Sequence, residues 1–202
     1  MLNDSLIDEL QIAALSYLEE HLDKRYTYHD ATHTLDVCNA VKLFTEETPL
    51  PRETYSALRI AAIFHDFGYL VQSFDNEALA LPYLEDFGNR FKIDEVLLQH
   101  VGDLIMETTF PYTPLTPAGM LLCDADIEYI GRDMFFRQAG LFRRELAADN
   151  IVYTDKQWWA LEMGFLQANT FFTPVCRRLR NDGRLSNLAK ARKYLIQAEK
   201  DC

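Results

Sequence analysis

Ser56-Ala57-Leu58-Arg59-Ile60-Ala61-Ala62-Ile63-Phe64-His65-Asp66-Phe67-Gly68 is the stretch on which the reading of this chain turns. Its apolar residues recur at helical spacing, and Leu58, Ala61, Ala62 and His65 share one face, so it reads as a helix and not a strand. The turn Thr48-Pro49-Leu50-Pro51 stops the element before it and starts this one, because proline is tolerated in a helix's first turn, and Gly68 marks the end. The same period extends outward. Asp4 or Ser5 can cap a first helix running to about Leu22, with Leu6, Leu10, Ala13, Ala14, Tyr17 and Leu18 on one face. A second helix is expected from near His29 to near Thr45, and others over 75–87, 93–108, 117–130, 133–148, 155–172 and 185–199. No strict alternation is long enough for a central strand, so the expectation is an all-α, compact helical bundle of about 8–10 helices. The segment Phe110 to Pro117, with three prolines, cannot continue a helix and is expected to be an ordered loop that can cover a pocket.

At 202 residues, 49% hydrophobic and 25% charged, the chain has room for one domain with a sizeable core, and disordered or low-complexity classes are excluded. The expected organisation is a single domain over 1–202, its motif core at 28–130 and C-terminal helices of 131–202 packed on it. A formal charge of −11 repels a nucleic-acid backbone, so no nucleic acid polymer is expected as partner. No apolar run reaches the roughly 18 to 20 residues that span a bilayer, and Met1 to Leu10 lacks a signal peptide's basic start, so a cytoplasmic protein without membrane association is expected. Cys38, Cys123, Cys176 and Cys202 form no CxxC pair and read as reduced, buried thiols. The stretch 177–202 holds eight bases against three acids; a solvated helix is the plain reading, and phosphate contact by Arg177, Arg178, Arg180 and Arg184 the alternative.

The chemistry lies in where the histidines fall. His29 and His33 are four apart, a spacing that puts both on one face of a helix, and the stripe continues through Val37, Ala40, Val41 and Phe44 into what should be core. His65 lies on the apolar face of the next helix, with Asp66 on its flank. An inward ionised Asp needs a buried base or a metal ion, and the base nearest in helical terms is Arg59, seven residues back. Two helices that turn metal-competent side chains to their apolar faces are most simply explained by one shared cation. A third candidate is Leu121-Leu122-Cys123-Asp124-Ala125-Asp126-Ile127. Asp124 and Asp126 are about 200° apart around a helix, so at most one addresses a given ion, and periodicity does not choose between them.

Tyr28-His29-Asp30-Ala31-Thr32-His33, Phe64-His65-Asp66-Phe67-Gly68-Tyr69 and Ala125-Asp126, in that order and spacing, resemble the H…HD…D signature of the HD-domain metal-dependent phosphohydrolases. The resemblance covers residues 28 to about 130, and Leu122 to Phe135 with the basic tail also looks like small bacterial predicted HD hydrolases. It implies that His33, His65, Asp66 and Asp126 bind the metal, with Asp126 preferred because the ligand usually follows a small residue and precedes an apolar one. It also implies that His29 protonates the leaving oxygen, as in the cyclic-nucleotide phosphodiesterase branch, and it makes His29 and Asp66 the catalytic pair. The chain has Asp30 where that branch typically has Asn. Some members use extra histidines for a second metal, and His100 is the candidate for it, against a packed core role.

Two imidazoles and two carboxylates leave coordination positions open for water and substrate, the layout of a catalytic site. Nitrogen and oxygen donors suit one divalent ion among Mn, Fe, Co, Ni, Zn or Mg. Arg25 and Arg132 are the candidates for holding a small phosphorylated substrate. The expected activity is hydrolysis of a small phosphate mono- or diester, nucleotides included, by metal-activated water. The alternatives are a diiron oxygenase of HD type, and a non-catalytic module that binds metal or nucleotide to regulate a partner.

Overall fold

Side-chain oxygens and prolines set most of the helix starts. Residues 3–200 are described by a computed structural model. Asn3 Oδ1 accepts from Leu6 N at 2.8 Å and caps α1 (Asp4–His21), one residue before the expected cap. Asp30 Oδ1 accepts from Thr32 N at 2.8 Å and His33 N at 3.0 Å, which opens α2 (Ala31–Glu47) two residues later than expected. His29 therefore precedes the helix that carries His33, and the two do not share a helical face. α3 (Arg52–Phe64) follows Pro51 directly, and His65 closes it. A 3-10 turn over Phe67–Leu70 leads to α4 (Asn76–Arg90), then come α5 (Glu95–Met106) and α6 (Pro117–Ile127). A second 3-10 turn, Glu128–Gly131, precedes α7 (Phe135–Ala148), α8 (Asp155–Ala168) and α9 (Pro174–Lys200). Among the described residues there is no strand, and the architecture is all-α. No helix among them is long and apolar enough to cross a membrane.

The chain packs as two compact units, one to Asp126 and one from Ile127. In the first, α3 is central. Every residue from Ser56 to Phe64 is buried, because α1, α2, α4 and α5 all contact this helix. A helix that is apolar nearly all round demands such an environment. Each buried Leu, Ile or Phe in it contributes about 1.5–3 kcal/mol relative to exposure. The charged residue in the run is Arg59, whose guanidinium donates to Asp4 Oδ1 at 3.0 Å and Asp8 Oδ1 at 2.5 Å. Arg59 therefore pairs with α1, and its partners are not the carboxylate seven residues ahead. At the end of α1, His21 Nδ1 donates to Tyr17 O at 2.9 Å and the ring stacks on Tyr17.

The second unit is organised on α9, which packs on α8 and on the Glu128–Gly131 turn. This helix starts well before the expected residue 185, because Pro174 can occupy a first turn and Gly183 does not interrupt it. A Cβ at Gly183 would lie 2.0 Å from Gly131 O, so glycine is there for close approach and not as a break. Glu128 is buried and accepts from Arg132 Nη1 at 2.6 Å and from Arg180 Nε. Asn187 Nδ2 donates to the carbonyls of Ile130 and Arg132, each at 2.9 Å. Arg177 donates to the carbonyls of Phe171 and Phe172, and Arg184 to that of Leu166. Much of the basic run thus ties the unit together. Trp158 is buried, whereas Trp159 stacks on Tyr194. Cys38, Cys123 and Cys176 are buried thiols; Cys202 lies outside the described residues.

Candidate metal centre

Three segments far apart in the chain bring polar side chains together inside the first unit. The Asp30 cap fixes the first turn of α2 and with it His33. At the end of α3, His65 Nδ1 lies 3.0 Å from Ala62 O. A carbonyl only accepts, so Nδ1 carries the hydrogen and Nε2 is the atom turned toward the cluster. Asp66 follows, outside the helix, and Asp126 comes from the last turn of α6.

The donor atoms converge. Ligand atoms of His33, His65 and Asp66 lie within 4.8 Å of one another. His33 Nε2 is 3.4 Å from His65 Nε2 and 3.3 Å from Asp66 Oδ2, and His65 Nε2 is 3.1 Å from the same oxygen. Asp126 Oδ1 is 3.0 Å from His33 Nε2 and 3.6 Å from His65 Nε2. Of the acids on α6, Asp126 thus reaches both histidines, while Asp124 is fully buried about 200° away around the helix axis.

Electrostatics in the cluster favour positive charge. Burial by itself would lower the His33 imidazole, but its hydrogen bond with Asp126 and the charges of Asp126 and Asp66 outweigh it and hold the group up at about 9. His65 is raised well above its ordinary value by the same carboxylates, again against burial. Burial would raise Asp66, yet the histidines hold its carboxyl well below the usual range, and Asp126 is lowered in the same way. Asp66 Oδ2 is a buried oxygen that accepts no hydrogen bond. A buried acceptor without a donor is costly, and a carboxylate more so. Two carboxylates and two imidazoles whose Nε2 atoms face one another are a donor set that a divalent cation satisfies. His33, His65 and Asp66 form a group that could hold one, with Asp126 beside it.

His29 sits beside this group. Its ring centroid is 5.8 Å from that of His33, it stacks on Tyr69 at 4.1 Å, and its Nε2 is 3.1 Å from the Tyr69 hydroxyl. Arg25 Nη2 donates to Tyr26 OH at 3.1 Å, and the Tyr26 ring meets Tyr69 edge-on. Arg132 belongs to the second unit, where Glu128 takes its Nη1. His100, half-buried on α5, joins no group of potential metal ligands among the described residues.

Four further residues at the site carry no motif of their own. Asn76 Nδ2 donates to Asp66 Oδ1 at 3.1 Å. It can do so because Gly68 lets the start of α4 approach: a Cβ there would lie 1.9 Å from Asn76 O. Glu77, next along α4, is buried; burial raises its carboxyl, and the charges of Asp66 and Asp126 push the same way. Tyr112 OH donates to Asp126 Oδ2 at 2.9 Å. Tyr69 holds His29. The only signal for them in the chain is that Tyr69 adjoins the HD segment and Tyr112 sits among three prolines.

No protein-family model matches this chain, and no curated protein matches its sequence. The fold is similar to the crystal structure of Bacillus subtilis YpgQ in complex with ADP, with a TM-score of 0.67 and 19% sequence identity over 98% of this chain and 95% of that one. At that identity the likeness speaks for the fold.

Proposed function

We propose that this protein is a metal-dependent phosphohydrolase of HD-domain type acting on a small phosphate mono- or diester. The observation that carries the reading is the buried Asp66 Oδ2, which accepts no hydrogen bond and faces the Nε2 atoms of two histidines. A nucleotide is the favoured substrate class, because the YpgQ structure of similar fold holds ADP.

His33, His65, Asp66 and Asp126 would hold one divalent ion, which supplies a water of lowered pKa and neutralises phosphoryl charge. The protein's own groups do the rest. Asn76 and Tyr112 each occupy one carboxylate oxygen of Asp66 and Asp126, which leaves the other oxygen of each turned to the histidines. As water oxygen bonds to phosphorus and the ester P–O bond breaks, His29 gives a proton to the departing alkoxide, a role worth about 10² to 10⁴ in rate. Tyr69 keeps that imidazole at the edge of the cluster through its hydroxyl at Nε2. Arg25, which donates to Tyr26 beside Tyr69, is the favoured source of positive charge for substrate.

Elemental analysis of the purified protein, paired with a broad phosphate-ester screen, tests the proposal. One divalent ion per chain with turnover of a mono- or diester supports it. Stoichiometric metal without turnover on either class overturns it, and an iron pair with a diiron Mössbauer signature would replace it by oxygen chemistry.

A further inference from the structure

We infer that Tyr112 is a positioning residue for the metal centre: its hydroxyl clamps Asp126 Oδ2 so that Oδ1 alone is presented to the histidines. The inference rests on the proposed metal site and assigns it a further component, carried on a different element from any of its ligands.

The geometry is specific. Tyr112 OH lies 2.9 Å from Asp126 Oδ2, while the other oxygen of the same carboxylate lies 3.0 Å from His33 Nε2. A carboxylate has two oxygens and can rotate about its last bond, so it could turn either oxygen, or both, toward a cation. A phenol that donates to one of them removes that freedom. The donor also draws charge off the carboxylate, which favours one-oxygen binding over chelation.

The loop that carries Tyr112 is braced for the task. Glu107, just beyond α5, accepts from Leu115 N at 2.7 Å and from Thr116 N and Oγ1 at 3.0 Å and 2.9 Å. Thr116 Oγ1 in turn accepts from Gly119 N at 2.9 Å in the first turn of α6. Pro111, Pro114 and Pro117 each fix one backbone torsion of the segment. The hydroxyl therefore arrives on a scaffold tied to both neighbouring helices, so little conformational freedom is lost when it engages Asp126. Because that scaffold does not depend on the phenol, Tyr112→Phe removes the donor and leaves the loop in place.

The test is a Co²⁺ titration followed by visible absorption, with wild type, Tyr112→Phe and Thr113→Ala, an exposed neighbour on the same loop, as control. Loss of the outer hydrogen bond should weaken Co²⁺ affinity by about 10-fold to 100-fold and shift the absorption bands, because Asp126 is released to bind through both oxygens. Thr113→Ala should match wild type, and the Tm of all three metal-free proteins should agree. A Tyr112→Phe protein with wild-type affinity and an unchanged spectrum overturns the inference, as does a lowered metal-free Tm with unchanged affinity, which would make the tyrosine a purely structural contact. Wild-type protein that takes up no Co²⁺ would remove the proposed metal site itself, and so marks the failure of the broader reading apart from that of Tyr112.

Discussion

Protons and metal should compete for the same imidazoles, and the competition can be sized. Burial opposes a charge on His33, yet Asp126 and Asp66 hold the group up at about 9 against an ordinary 6.5. At pH 7 the metal-free imidazole is thus about 99% protonated, and an ion that needs the Nε2 lone pair must displace that proton. Each pH unit below about 9 weakens apparent affinity about tenfold per proton displaced. His65 is raised as well, so up to two protons leave. Between pH 6 and pH 8 the apparent Kd for Mn²⁺ or Co²⁺ should tighten by about 10² to 10⁴. Calorimetric titration in two buffers of different ionisation enthalpy should count between one and two protons released per ion. The stability of the metal-free protein runs the other way. A raised His33 contributes stability that is fully present below 6.5 and lost as pH rises through about 9, roughly 3 kcal/mol at most. The lowered Asp66 and Asp126 contribute stability present above 3.8 and lost as acid is added through their folded values. The Tm gain on adding metal should therefore grow as pH rises from 6 to 8. A Kd that stays flat across that range, with no proton release, would refute the picture of carboxylates and imidazoles sharing one cation.

Single substitutions separate the remaining roles. His65→Ala or Asp66→Ala should lose metal and activity together, whereas His29→Ala should keep metal by elemental analysis and lose about 10² to 10⁴ in turnover; release of the ion by His29→Ala would make it a ligand. Gly68→Ala forces a Cβ to 1.9 Å from Asn76 O, so the start of α4 must shift and Asn76 leave Asp66. About 1–3 kcal/mol of stability should go with it, read by denaturant melts, together with weakened metal binding. Glu162→Gln tests the second unit: burial raises this carboxyl to about 7, so the fold loses stability as pH rises from 4.5 through that value. The Gln variant should abolish that decline and gain up to about 3 kcal/mol at pH 8, visible as a higher Tm; an equal pH slope in both proteins would show Glu162 to be solvated.

The helical period reached most of the fold because each helix is short-range chemistry: a cap, an apolar stripe and a stop. It misplaced the edges where a cap decided them. Asp30 has the composition of a motif residue but acts as the N-cap of α2, and that moved His29 off the helix. It also missed the first part of α9, where Gly183 packs against Gly131 inside the helix. At the site, the inward phase of His33 and His65 was legible, since residues on one helical face announce their burial, whereas Asp66 lies just past the end of α3. The choice of Asp126 over Asp124 came from the resemblance and not from spacing, because either acid had apolar neighbours in phase.

What the chain determined by itself is therefore a set of helices, a net charge of −11 and an inventory of donors: His33 and His65 on apolar faces, with Asp66, Asp124 and Asp126 as candidate acids. What only tertiary packing decided is which atoms meet. His33 and Asp126 stand 93 positions apart, Arg59 finds Asp4 and Asp8 51 to 55 positions back and not Asp66, and Asn76 and Tyr112 reach the carboxylates from α4 and a proline-braced loop. Spacing along a helix fixes the direction of a side chain relative to its neighbours, through the 3.6-residue period. It carries no information on which other helix lies opposite, because that follows from how all the apolar stripes are buried at once.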